Sequence, residues 1–157
     1  MQHRMKEFTM TAESIDALLE RGVFGHISTF GQDGYPYTVP VHFVYDGGCI
    51  YFHGLPAGDK LDNIKANPKV CFETCEFNKI LDENLAIICD IDSAYECAVI
   101  RGTAEFVTDM EEKTRILNKF VDKYAPHLKH VPMPEGRIMG TACVKITPES
   151  CTGKYHV

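Results

Sequence analysis

Several features are missing from this 157-residue chain, and each absence removes a class of function. No apolar run approaches the roughly 18 residues of a membrane-spanning helix, so we expect no membrane segment. The N-terminal stretch Met1–Glu7 lacks the apolar core of a secretory signal, which predicts a cytoplasmic protein. The 16 lysines and arginines are outnumbered by 22 aspartates and glutamates, for a net charge of −6. Such a charge disfavours binding to nucleic acid or to an anionic membrane surface.

Sequence motifs of several common enzyme classes are also absent. The chain contains no G-x-G-x-x-G dinucleotide motif and no Walker A sequence. It has no G-x-S-x-G nucleophile elbow. The sequence therefore gives no support to a Rossmann enzyme, a P-loop nucleotidase or a serine hydrolase.

The cysteines are numerous but show no pattern of a structural site. The count is odd, and no C-x-x-C pair occurs among Cys49, Cys71, Cys75, Cys89, Cys97, Cys143 and Cys151. Most of them lie in apolar, strand-like segments, where a free cysteine behaves as a small hydrophobic residue, so we expect reduced thiols. The histidine pairs His127/His130 and His42/His53 do not make up a tight set of three or four ligands, which predicts no metal site.

Turn signals and hydrophobic patterning predict a mainly β, α+β fold. The connections at 31–34 and 46–48 are too short for the crossover that parallel strands require. The strands on either side of each turn are therefore expected to be antiparallel neighbours. The sequence predicts a small barrel of six antiparallel strands with two or three peripheral helices, formed by one domain over residues 1–157. We expect strands at 23–30, 37–45, 49–53, 70–77, 95–107 and 140–146, helices near 12–21, 59–66 and 110–124, and an irregular connection at 78–93.

The segment 37–72 holds the residues best suited to chemistry. The glycine-containing loop Gly54–Gly58 precedes a helix with Lys60 in its first turn, an arrangement that suits a phosphate group but is also common in ordinary connections. His42 and His53 flank one hairpin. A four-residue loop would place the two histidines opposite each other on one face, whereas a loop one residue shorter would place them on opposite faces. Two facing imidazoles would suit an aromatic cofactor or a proton relay, while the alternative is a pair of packed, hydrogen-bonded histidines.

Taken together, the ordered motifs resemble those of a known family. They are G-Y-P-Y-T-V-P-V at 34–41, I-Y-F-H-G at 50–54, G-D-K-L-D-N-I-K-A-N-P at 58–68, V-C-F at 70–72 and Y-E-C-A-V-I-R-G at 95–102. The chain resembles the pyridoxamine 5'-phosphate oxidase-like, FMN-binding split-barrel superfamily, and within it the nitroimidazole-resistance (NimA-type) branch. This resemblance implies a six-stranded split barrel that forms a homodimer with two flavin sites at the subunit interface.

The resemblance also implies a role for individual residues. Lys60 and the Gly58-Asp59 backbone match the segment that grips the flavin phosphate, His42 and Phe52 match positions at the ring, and His53 matches the histidine tied to the active site. Tyr95 and Cys97 match the strand that the partner subunit contributes. The implied catalytic residue is His53, and the implied cofactor-binding residues are Tyr37, Val41, His42, Phe52, His53, Gly58, Asp59, Lys60, Asn63, Tyr95 and Cys97.

Three departures from the family pattern qualify the expected activity. Cys97-Ala98 replaces the usual Ser-Val, Asp59 stands where the pyridoxamine oxidases carry an arginine, and tryptophan is absent, which removes the C-terminal substrate motif of those oxidases. We therefore expect an FMN-dependent oxidoreductase, such as a nitroreductase acting on small nitroaromatic compounds, rather than a pyridoxamine phosphate oxidase. The alternatives are a flavin carrier or sensor without turnover and a haem-binding protein. FAD or a deazaflavin in place of FMN also remains open.

Overall fold

One antiparallel sheet dominates the computed structural model, which describes residues 7–83 and 85–157. Its strands are β1 (Phe24–Phe30), β2 (Pro36–His42), β3 (Val44–Asp46), β4 (Cys49–Gly54), β5 (Lys69–Leu81), β6 (Asp92–Phe106) and β7 (Ala142–His156). Their order across the sheet is β2-β1-β5-β6-β7-β4-β3, with every pair antiparallel. The two edge strands, β2 and β3, follow each other in the chain. This architecture confirms the predicted mainly β, split-barrel fold class.

The described residues hold seven strands rather than the expected six, because the segment predicted as one strand over 37–45 is interrupted at Phe43. The Phe43 side chain is fully buried. Its backbone N–H donates to the hydroxyl of Tyr124 at 3.0 Å, and the same hydroxyl donates to the Phe43 carbonyl at 2.6 Å. A side chain from a distant helix thus takes the hydrogen bonds that a continuous strand would have used.

In the described part of the chain, four α-helices accompany the sheet: α1 (Ala12–Arg21), α2 (Asp59–Ala66), α3 (Met110–Tyr124) and α4 (Glu135–Gly140). The first begins at Thr11, whose side chain accepts from the Ser14 N–H at 3.2 Å, and α3 begins at Asp109, whose carboxylate accepts from the Glu112 N–H at 2.7 Å. These caps satisfy amides that have no partner within a helix. The fourth helix, α4, was not predicted.

The segments around β5, β6 and β7 are more regular than expected. Strand β5 continues to Leu81 and pairs with the start of β6 at Asp92, so only 82–91 connects them, with a short 3-10 turn at Ile88–Asp90. Strand β7 continues ten residues past the predicted end at 146, to His156. Both extensions are stabilised by cross-strand pairing, which local propensity does not reveal.

The main core lies under the sheet, and a second one positions α3. Fully buried side chains of the main core include Ile27, Phe43, Phe72, Ile100 and Ile146. The second cluster joins β3, β4 and β7 to α3 through Val44, Tyr51, Ile116, Phe120 and Cys143. Arg115 and Lys119 of α3 also pair with Asp46 at the β3–β4 hairpin. As a result, α3 is held across β4, next to His53.

The structure corrects the expectation that all cysteines are free thiols. Cys75 of β5 and Cys97 of β6 are register partners with their Cα atoms 4.1 Å apart, and they form a disulfide. The pairing depends on the register of two strands, which the spacing of cysteines along the chain does not indicate. Of the other five cysteines, only Cys143 is buried.

No helix within 7–83 and 85–157 has the length and apolar character needed to cross a membrane. The prediction that the chain has no secretory signal rests mainly on residues 1–6. These residues lie outside the part of the chain that the structure describes.

Candidate functional site

The register of the β3–β4 hairpin decides where the two candidate histidines lie. A two-residue turn, Gly47-Gly48, joins the strands, with φ values of 58° and 78° that favour glycine. Asp46 then pairs with Cys49 and Tyr45 with Ile50. This is the register of the longer-loop alternative, in which His42 and His53 face the same side. Although Phe43 separates His42 from β3, both imidazoles line one cavity.

That cavity, which we call the two-histidine cavity, has a volume of about 350 Å³ and mostly apolar walls. The ring of His53 meets the Phe120 ring edge-on at a centroid distance of 4.3 Å, and the His42 ring meets Tyr124 at 4.7 Å. Phe120 and Tyr124 are stacked at 5.9 Å. The lining residues are His42, His53, Leu117, Phe120, Val121, Tyr124, Ala125, Met133, Arg137, Ile138 and Thr141.

Electrostatics inside the cavity favour neutral imidazole at His53. The surrounding protein removes water from part of the ring, which lowers the pKa of His53, and the neighbouring His42 lowers it further. A neutral imidazole has one nitrogen that donates a hydrogen bond and one that accepts. His53 is therefore suited to exchange a proton with a bound ligand near neutral pH.

Several lining residues come from segments that the sequence analysis did not assign to the site. Phe120 and Tyr124 lie on the helix expected near 110–124, which the sequence did not connect with the site. Arg137 lies on α4, the helix that was not predicted. Arg137 forms no ion pair with any carboxylate in the described part of the chain, which leaves its guanidinium free to bind an anionic or electron-rich group. The apolar periodicity of α3 was the signal that could have placed an aromatic wall here.

Lys60 lies next to the end of β4 but does not line the two-histidine cavity. Its Nζ would be 4.0 Å from a Cβ atom placed on Gly54, the residue that follows His53. Gly58, with φ of 131°, precedes α2, and its carbonyl accepts from the N–H groups of Leu61 and Asp62. Space around the missing Cβ of Gly58 is open. Lys60 forms no ion pair within the described residues, whereas Lys65 of the same helix pairs with Asp62 at 2.8 Å.

Three other predicted site residues lie around a different cavity. Tyr37, Asp59 and Asn63 line an opening of about 400 Å³ beside the β1–β2 turn. Asn63 is buried, and its amide donates to the Thr29 hydroxyl at 3.1 Å. That hydrogen bond fixes α2 against β1, so Asn63 has a structural role in this chain whatever it contacts besides.

The remaining predicted residues lie in or against the core, or on β6 away from the two-histidine cavity. Phe52 is 1% exposed, because alternation along β4 turns it inward and His53 outward, so only its backbone can face a ligand. Val41 packs against the main core. Tyr95 and Cys97 lie on β6, and the sulfur of Cys97 is bonded to Cys75. The structure therefore brings His42 and His53 together in one cavity, and it brings neither Lys60, Tyr95 nor Cys97 to the lining of that cavity.

Comparison with known proteins gives one family match that covers most of the chain. The family described as pyridoxamine 5'-phosphate oxidase matches residues 11–155. An uncharacterised protein of Rhizobium meliloti (strain 1021) is 37% identical over 46 residues, which is 29% of this chain. The matched part amounts to 30% of that relative.

Solved structures of the same fold include proteins named for drug resistance and for redox cofactors. A protein of Bacteroides thetaiotaomicron VPI-5482 named for 5-nitroimidazole antibiotic resistance has a TM-score of 0.80 at 24% identity, covering 93% of this chain and 85% of its own. A flavocytochrome of Azotobacter vinelandii has a TM-score of 0.86 at 20% identity, covering 99% and 72%. An FAD and haem binding protein of Mycobacterium smegmatis has a TM-score of 0.83 at 16% identity, covering 95% and 73%. At these identities the likeness concerns the fold.

Proposed function

We propose that this protein is a flavin-dependent oxidoreductase. The chain belongs to the pyridoxamine 5'-phosphate oxidase family, whose model matches residues 11–155. In this proposal the cofactor is FMN, and the acceptor is a small nitroaromatic compound. The observation that supports it most directly is the two-histidine cavity, in which His42 and His53 lie against an aromatic wall. Lys60, next to Gly54 at the end of β4, is the candidate phosphate ligand.

The residues around Lys60 suit the phosphate of a flavin mononucleotide. An ammonium group without a carboxylate partner provides a charge-assisted hydrogen bond, and the open space at Gly58 allows an anion to approach the backbone. Asp59, next to Lys60, weakens the positive potential, which fits the expected departure from the pyridoxamine oxidases. When bound, a reduced flavin supplies the electrons for the acceptor, while the protein contributes positioning and electrostatics.

The chain's own residues would bind and protonate the acceptor. The side chains of Phe120, Met133 and Ile138 provide apolar walls for a flat aromatic ring. Arg137, with no carboxylate partner in the described part of the chain, can donate hydrogen bonds to the oxygens of a nitro group. His53, with its lowered pKa, can hold or deliver a proton at an imidazole nitrogen.

We further propose that the active form is a homodimer with interfacial flavin sites. The β1–β2 edge of the sheet presents large apolar side chains to solvent: Phe24, Phe30 and Tyr35 are 54%, 60% and 74% exposed. Phe24 and Phe30 lie at the two ends of β1, six residues apart and therefore on the same face, and Tyr35 lies near Phe30 at the turn. Several large apolar side chains exposed along one face are typical of an interaction surface. Phe24 also contacts the ring of His42 at 4.4 Å, so a second copy seated on this edge would adjoin the two-histidine cavity. Sedimentation analysis at several protein concentrations tests this point.

The test of the flavin proposal is FMN binding followed by turnover. The purified protein should retain FMN after desalting and should catalyse NAD(P)H-dependent reduction of a nitroaromatic compound. Lys60→Ala should raise the Kd for FMN by about 10- to 150-fold, which corresponds to loss of one hydrogen bond to a charged group. Lys65→Ala is the matched control, since Lys65 lies on the same helix and is already paired, and it should leave the Kd nearly unchanged.

The outcomes separate the candidate functions. Protein that does not bind FMN refutes the cofactor, and an unchanged Kd in Lys60→Ala removes Lys60 from the site. Bound FMN that is never reduced or reoxidised would instead support a flavin carrier or sensor.

Haem binding is the second candidate, and it is favoured by one observation: two imidazoles line the same largely apolar cavity. Imidazole nitrogen is a common haem ligand, and an apolar pocket suits the porphyrin face. His42 and His53 would be the candidate ligands. The absorption spectrum after incubation with haem distinguishes the two proposals, because a Soret band that disappears in His53→Ala would support haem and its absence would reject it.

A further inference from the structure

A cluster of metal-binding side chains lies away from the two-histidine cavity, on strands β5 and β6. It consists of Glu73, Cys75 and Cys97, whose ligand atoms all lie within 4.8 Å of one another. Glu73 and Cys75 are two residues apart on β5 and point to the same side, and Cys97 is the register partner of Cys75. Cys75 is exposed and the other two are half-buried, so the cluster is open to solvent.

The distances fit coordination of a small divalent cation. Zinc binds thiolate sulfur at about 2.3 Å and carboxylate oxygen at about 2.0–2.2 Å, so tetrahedral ligand atoms lie roughly 3.3–3.8 Å apart. The Glu73 Oε1 to Cys97 Sγ distance is 3.4 Å, within that range. The two sulfurs are bonded in the disulfide and would need to separate after reduction, which rotation about χ1 of the exposed Cys75 and the half-buried Cys97 can provide.

A second interaction orients the carboxylate. His26 of β1 is the register partner of Glu73, and its Nδ1 lies 3.1 Å from Glu73 Oε2. The other carboxylate oxygen, Oε1, is the one that faces Cys97. A carboxylate held by one oxygen while the other is directed to the ligand position is the usual arrangement around protein metal sites.

We propose that the dithiol form of the chain binds one zinc ion through Cys75 Sγ, Cys97 Sγ and a Glu73 oxygen, with His26 positioning Glu73. Water occupies the fourth position, since the cluster is open to solvent. Two thiolates and one carboxylate suit zinc rather than magnesium or calcium, which prefer oxygen ligands. The sequence predicted no metal site because these ligands come together only through the pairing of β5 with β6.

The disulfide and the metal site exclude each other, so the site is controlled by redox state. Zinc binding to the reduced form displaces the two thiol protons and forms two Zn–S bonds. Oxidation by a low-molecular-weight disulfide proceeds by two thiol–disulfide exchange steps, which form the Cys75–Cys97 bond and leave two molecules of the reduced thiol. Two electrons pass to the oxidant, and the zinc ion is released.

The experiment is metal titration of the full chain in both redox states. After reduction and anaerobic desalting, the protein should take up one Zn²⁺ per chain in competition with a chromophoric chelator. Co²⁺ used as a probe should give the near-ultraviolet charge-transfer band of thiolate ligands. The oxidised protein should bind neither ion at this site.

Variants separate this cluster from other metal ligands in the chain. Cys75→Ser and Glu73→Gln should each abolish stoichiometric uptake, and His26→Ala should lower the affinity by about 10- to 100-fold. Cys71→Ser is the matched control, because Cys71 lies on the same strand and side of the sheet but outside the cluster, and it should bind as the wild type does.

Three results would overturn the proposal: no uptake by the reduced wild type, full uptake by Glu73→Gln, or equal uptake by the oxidised protein. Should Cys75→Ser fail to fold, as judged by circular dichroism, the Glu73→Gln variant still decides, since it leaves both cysteines in place. The assay requires no flavin, so its result is independent of the proposed oxidoreductase function.

Discussion

Replacing Tyr124 with phenylalanine removes a single oxygen that holds the break between β2 and β3. The hydroxyl accepts from the Phe43 N–H at 3.0 Å, and its single hydrogen donates to the Phe43 carbonyl at 2.6 Å, with the Val23 carbonyl oxygen as a second acceptor 2.9 Å away. Phe43 is fully buried, so water cannot easily replace the lost acceptor. An unsatisfied buried N–H costs about 1–3 kcal/mol, and we expect Tyr124→Phe to lower the free energy of unfolding by that amount.

Urea denaturation followed by circular dichroism measures this loss. With m-values of about 1–3 kcal/mol/M for a protein of this size, the midpoint should fall by roughly 1 M while the slope stays constant. Tyr155→Phe is the control, because the Tyr155 hydroxyl makes no hydrogen bond within the described residues, and its effect should stay within about 0.5 kcal/mol. A Tyr124→Phe protein as stable as the wild type would refute the role of the hydroxyl. Equal losses in the two variants would show that the effect is not specific to Phe43.

Two further predictions concern packing and protonation. Gly102→Ala would place its Cβ 2.2 Å from the Thr147 carbonyl oxygen on the paired strand, so we expect the free energy of unfolding to fall by about 1–3 kcal/mol. The Cβ of Gly136→Ala meets no atom within 4 Å, and this control should change the free energy of unfolding by at most about 1 kcal/mol. Thermal unfolding that ranks the two variants otherwise would contradict the packing argument. His53 should titrate below 6.5 in an NMR pH series, and His42→Asn should raise its pKa toward that value, because part of the shift comes from His42. Because the unfolded chain then binds the His53 proton more readily than the folded chain does, the contribution of His53 to stability should be constant above pH 6.5 and fall as the pH drops below it. A wild-type stability curve identical to that of His53→Gln would contradict this.

The sequence alone determined the type and order of most secondary structure. Glycine-rich turns at 31–34 and 46–48 predicted antiparallel hairpins, and the helices expected near 12–21 and 110–124 begin at the capping residues Thr11 and Asp109. These features depend on residues within a few positions of each other, which is why they can be derived from a single chain. Family resemblance also follows from local motifs, and the match over 11–155 confirmed it.

Only the tertiary structure determined where some strands end and which elements contact each other. The single strand expected over 37–45 became two, because a hydroxyl from Tyr124, 81 residues beyond Phe43, took over the backbone hydrogen bonds there. The same helix supplied the aromatic wall that unites His42 and His53 in one cavity. The family resemblance pointed to the two histidines but not to the aromatic wall. The wall residues lie on a helix whose apolar pattern is the same as that of any helix packed against a core.

The same reasoning explains the cysteines and Phe52. Cys75 and Cys97 are 22 residues apart, and only the register of β5 against β6 makes them a disulfide. The resemblance implied that Phe52 lies at the flavin ring and His53 in the active site, yet strand alternation buried the Phe52 side chain and left His53 at the cavity. Local sequence determined which residue types are available, and long-range strand register decided which of them meet, because register is set by the packing of whole sheets rather than by neighbours in the chain.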